Sequence, residues 1–162
     1  MRRGLCLSTM LIAVVVVPSA AADKPDSHIR PAPDDVTITG QCAFPVLGHI
    51  EGAEIDTTFT SKAGNIRLLG VFPGNTLTLT NLDAGKSITV GATGSFHLTL
   101  QADGSGSAMV TGQGAWPDGN PVTGEPGIWY QSGRVMFTRD AEGNVTVEST
   151  GTLVNLCGQL AP

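Results

Sequence analysis

The chain has 162 residues and carries fourteen acidic against nine basic side chains. Its lysines and arginines are scattered, which argues against nucleic acid and anionic lipid as partners, because both need clustered positive charge to displace counterions. The length fits a single domain, in which one core buries roughly two-thirds of the surface of the unfolded chain.

At the N-terminus, Arg2 and Arg3 precede a continuous apolar run from Leu11 to Val17, and Ala20-Ala21-Ala22 supplies small residues before Asp23. This is the pattern of an export signal, expected to be cleaved after Ala22 to release an extracellular protein. The apolar run is shorter than the ~20 residues needed to span a bilayer, so no stable membrane insertion is expected after cleavage. Without Arg2 and Arg3, seven basic residues remain against fourteen acidic ones. Residues 23–35 include Pro25, Pro31 and Pro33, show no hydrophobic period and read as a flexible Pro-rich lead-in. Residues 36–162 read as one β domain.

Two cysteines follow the export segment, Cys42 and Cys157. In an oxidising compartment they read as a disulfide, which requires their Cα atoms to lie within about 7 Å. The two ends of the domain must therefore meet.

Between them, short runs of Thr, Val, Ile, Leu and Phe alternate with turn residues. Thr76-Leu77-Thr78-Leu79-Thr80 is strictly alternating, and period two recurs at Ile88 and Val90, at Phe96, Leu98 and Leu100, at Val135 and Phe137, and at Val145 and Val147. Such strands belong to antiparallel sheets with one apolar face. Turn chemistry falls at Ala63-Gly64-Asn65, Pro73-Gly74-Asn75, Asp83-Ala84-Gly85, Asp103-Gly104, Ser132-Gly133 and Glu142-Gly143-Asn144. The fold class expected is all-β, an antiparallel up-and-down barrel of about eight strands whose ends are tied by the disulfide. A two-sheet sandwich is the rival.

Cys42-Ala43-Phe44-Pro45-Val46, the segment Thr80-Asn81-Leu82-Asp83-Ala84-Gly85-Lys86 with Thr89-Val90, and Leu156-Cys157 resemble landmarks of uncharacterised secreted proteins of actinobacteria. In outline the expected meander is also similar to the small barrels of allene oxide cyclase, dirigent and lipocalin-like proteins. The outline implies a lumen able to hold an apolar molecule. The nearer resemblance implies no activity.

For chemistry the sequence offers few constellations. There is no G-x-S-x-G elbow, the disulfide leaves no free thiol after cleavage, and His28, His49 and His97 are dispersed, so no catalytic residue, metal or cofactor is expected. Asp118-Gly119-Asn120 with Glu125 lacks the spaced ligands of a calcium loop. Alternation sets His97 opposite Phe96 and Leu98, outside if the apolar face is the lumen and inside if the lumen is polar. Trp116, Trp129 and Tyr130 flank the longest connection and, with His97, are the candidate ligand-binding residues. The competing expectation has Ile128 and Tyr130 in the core and Trp129 capping the outside. Asn144-Val145-Thr146 fits the glycosylation sequon.

Three functions follow. The first is a secreted binding module for a small apolar molecule or an extracellular protein. The second is an envelope or extracellular interaction protein whose barrel is filled. The third is a lumen isomerase or cyclase, which requires Arg67, His97, Arg134 and Glu148 to converge.

Overall fold

The computed structural model describes residues 25, 27–29 and 35–162, and the export segment with its cleavage position lies outside them. The described strands are β1 (Ser27–Ile29), β2 (Asp35–Ile38), β3 (Val46–Glu51), β4 (Ile55–Thr60), β5 (Ile66–Phe72), β6 (Thr76–Asn81), β7 (Ser87–Gly91), β8 (Gly94–Leu100), β9 (Gly106–Trp116), β10 (Trp129–Arg139) and β11 (Val145–Asn155), followed by a single turn of helix, α1 (Cys157–Leu160). They form two antiparallel sheets. The long sheet has the order β1-β4-β5-β8-β9-β10-β11 and the short one β2-β3-β6-β7.

The all-β reading holds, and among the described residues the strands divide between two sheets in place of one eight-strand meander. Neither sheet closes on itself among the described residues. Pro73-Gly74-Asn75 does not join two paired strands: β5 pairs with β8, and the turn carries the chain to β6 in the other sheet. Gly52 and Ala92-Thr93 likewise lie where the chain passes between sheets. The same residue types serve a hairpin and a sheet-crossing corner, because both need a tight change of direction. The lead-in also contributes structure, since Ser27–Ile29 pairs with β4 in register Ser27 to Thr58.

The core sits against the short sheet. Alternation in β6 buries Leu77, Leu79 and Asn81 and leaves Thr76, Thr78 and Thr80 partly exposed. Those threonines bond across to β7, Thr78 to Thr89 at 2.9 Å and Thr80 to Ser87 at 2.8 Å. Ile38 and Val46 join Leu77 and Leu79, and the cluster is completed by Ile128, Leu156 and Leu160 from beyond the long strands. Burial of each such aliphatic side chain is worth about 1.5–3 kcal/mol. Asn81, fully buried, works as a bracket. Its Nδ2 donates to the Leu160 carbonyl at 3.0 Å, and its Oδ1 accepts from the amides of Asp83 and Ala84 in the turn to β7.

Cys42 and Cys157 are disulfide-bonded with Cα atoms 5.5 Å apart. The bridge ties the loop ahead of β3 to α1, so it pins the short sheet to the chain leaving β11 and does not join two sheet edges.

Ser132-Gly133, expected as a turn, lies inside β10. Gly133 belongs to a register row that crosses four strands, Gly94 to Gly112 to Gly133 to Gly151. A Cβ on Gly133 would come within 2.2 Å of the Thr150 carbonyl oxygen, and its φ of 138° lies in the region L side chains rarely adopt. A row of this kind is a glycine kink, which gives a sheet strong local curvature.

Candidate functional site

The chain crosses from β3 to β4 through Gly52-Ala53-Glu54 and from β5 to β6 through Pro73-Gly74-Asn75. These two corners stand side by side, because the Ala53 amide donates to Asn75 Oδ1 at 2.9 Å. Gly52 makes the approach possible: its φ is 128°, and a Cβ there would lie 2.2 Å from Asn75 Oδ1. The Asn75 carbonyl accepts from the Ala92 amide at 2.8 Å, which ties in the third corner.

Below these corners a cleft of about 450 Å³ opens between the short sheet and the long one. Val36, Ile50 and Leu77 line it from the short sheet, Ala92 from the third corner, and Phe72, Val110 and Ala115 from the long sheet, with Glu54, Asn75, Thr111 and Gln113 as its side-chain polar groups. Asn75 is only 4% exposed. Since Oδ1 is held by the Ala53 amide, the orientation of the carboxamide is set. Its Nδ2 bonds to no acceptor among the described residues and is not sealed from solvent, and Asn75 is one of the residues that line the cleft. The half-buried Glu54 has its carboxyl held above the usual carboxylate range, first by burial and then by the charge of Asp56. Thr111 is engaged with Ser95, their hydroxyls 2.8 Å apart. Among the described residues no Lys or Arg lines the cleft.

The residues singled out from sequence lie elsewhere. Trp116 donates from Nε1 to Gln131 Oε1 at 2.9 Å and stands with its ring 5.7 Å from that of Phe137. Trp129 donates from Nε1 to the Glu125 carbonyl at 3.1 Å. Tyr130 packs against the core beside Ala115, and Ile128 is fully buried. His97 is exposed. None of Trp116, Trp129, Tyr130 and His97 lines the cleft. Arg67, Arg134 and Glu148 are exposed as well, spread along β5, β10 and β11, so the convergence that lumen catalysis requires is not found.

The sequence signals for the cleft were weak. Asn75 read as an ordinary turn residue, and Glu54 carries no motif. The one trace is Glu54-Ile55-Asp56, a pair of carboxylates at the start of a strand, a spacing that sets both on one face. Among the described residues no group of His, Cys, Asp and Glu is arranged to hold a metal ion, and no helix is long and apolar enough to cross a membrane. The loop between β9 and β10 is pinned, with Asn120 Oδ1 accepting from the amides of Val122 and Thr123 and Gln41 Oε1 accepting from the Gly127 amide. No family model, curated protein or solved structure matches the chain.

Proposed function

We propose that the protein is an exported binding module that holds a small, mainly apolar molecule in the cleft between its two sheets. The observation that carries this reading is the cleft: its volume falls within the range of about 300–1,000 Å³ of small-molecule sites, and its mostly apolar wall with a few placed polar groups is their usual composition. Export rests on the N-terminal charge and apolar run together with the disulfide, and agrees with the resemblance to secreted actinobacterial proteins.

Native mass spectrometry of the protein purified from culture medium tests both parts. The expected spectrum shows a chain beginning at Asp23, two hydrogens lighter than the dithiol, with an added mass that leaves on denaturation. Chain retained in the cells with residues 1–22 attached would overturn export. A chain that carries no added mass and takes up no apolar probe would overturn the binding reading.

A further inference from the structure

We infer that the cleft selects an uncharged amphiphile with a hydroxyl head group, such as a long-chain or polycyclic alcohol, seated with its hydroxyl between Asn75 and Glu54. This rests on the reading of the cleft as a ligand site and adds the chemistry of the head.

Asn75 lines the cleft, and its Nδ2 is left without an acceptor among the described residues, while the other end of the carboxamide is committed to the Ala53 amide. A ligand that displaces water from the cleft takes away this donor's partner, so one whose own oxygen accepts from Nδ2 is favoured. Glu54, on the adjoining corner, supplies an acceptor and makes no hydrogen bond to any described side chain or amide. The head group that satisfies both must accept one hydrogen bond and donate another. A hydroxyl does so. An ammonium has no lone pair for Nδ2. A carboxylate has no hydrogen for Glu54 and would stand near Glu54 and Asp56 in a cleft lined by no Lys or Arg, where like charges repel. The apolar walls beyond, formed by Ile50, Leu77 and Val110, take the hydrocarbon.

The test uses the oxidised protein near pH 7, loaded with the neutral fluorescent probe N-phenyl-1-naphthylamine and titrated separately with 1-dodecanol, dodecylammonium and dodecanoate. The expected result is displacement by the alcohol at concentrations about tenfold below those of either ion, the worth of one charge-assisted hydrogen bond. Asn75→Asp keeps the oxygen that receives the Ala53 amide and replaces the donor with an acceptor. It should abolish the preference for the alcohol and shift it toward the ammonium. Glu54→Leu should weaken the alcohol about tenfold relative to the probe, whose own affinity is measured for each variant. Should Asn75→Asp lose its circular dichroism, Glu54→Leu decides alone.

Equal displacement by all three ligands, or preference for either ion, would overturn the head-group assignment while the cleft remains a binding site. The assignment also fails if both folded variants keep the alcohol affinity within twofold. If neither the probe nor any of the three is held, the binding reading itself is lost.

Discussion

The ring of Trp116 lies 5.7 Å from the ring of Phe137, although Trp116 is paired with Trp129 at one end of β10 and Phe137 lies toward the other end. On a flat strand, at about 3.3 Å per residue, Trp129 and Phe137 would be roughly 25 Å apart. The β9–β10 hairpin is therefore folded over between them, and the row through Gly112 and Gly133 is the crease. Gly133→Ala should cost on the order of 2–3 kcal/mol, because a methyl group would meet the Thr150 carbonyl and the backbone would be held at a positive φ. Chemical denaturation measures this. A loss below about 0.5 kcal/mol, the ordinary range for an exposed substitution, would contradict a crease that depends on glycine.

Gln131 fills the inside of that fold. It is 2% exposed, accepts from Trp116 Nε1, and donates from Nε2 to the carbonyls of Val110 at 3.3 Å and Gly133 at 3.2 Å. Gln131→Leu keeps the bulk and removes all three bonds, leaving an indole N–H and two carbonyls without this partner. The expected loss is about 2–3 kcal/mol. A fluorescence change from Trp116, read against Trp116→Phe, reports whether the fold over Phe137 has opened.

Reduction of Cys42–Cys157 opens a loop with a sequence separation of 115. In the chain-entropy model the bridge is worth about 4–5 kcal/mol. With a urea dependence of about 2 kcal/mol/M, the unfolding midpoint should fall by about 2 M under reductant. A midpoint that does not move would show that the short sheet is held to α1 by packing alone.

His49 and Asp35 join β3 to β2, with His49 Nδ1 donating to Asp35 Oδ1. The imidazole is raised above its ordinary value of 6.5, chiefly by that hydrogen bond and further by the charges of Asp35 and Glu51. A histidine raised in the folded state contributes stability that is fully present below its unfolded value and is lost as pH climbs through the raised one. Proton NMR of His49 should therefore give a titration midpoint above 6.5, and Asp35→Asn should lower it. A midpoint at or below 6.5 in the parent protein would show that the pair does not form in solution.

Much of this fold was legible in the residues. The alternation of leucine and threonine in β6 set the buried face, and the cysteine pair placed the ends together. Gly64, Gly74, Gly85, Gly104 and Gly143 all have positive φ within the segments read as turns. Sheet membership was not legible, because Pro73-Gly74-Asn75 has the chemistry of a turn whether the next strand pairs with the last or crosses to another layer. Gly133 was misread for a related reason: positive φ is the mark of a turn and equally of a kinked strand. The cleft was least visible. Asn75 and Gln113 are far apart in sequence, and the orientation of the Asn75 carboxamide is set only once the Ala53 amide has taken its oxygen.

Leu156 and Leu160 complete the core around Val46 and Leu79, yet they arrive only after β11. A chain emerging from its N-terminal side holds the short sheet with one wall open until α1 has emerged, and Asn81 waits as long for the Leu160 carbonyl. The short sheet thus lacks part of its core until α1 is present. During that interval its leucines are the surface a chaperone would hold, and a nascent chain stalled before α1 would expose Leu79 to proteases.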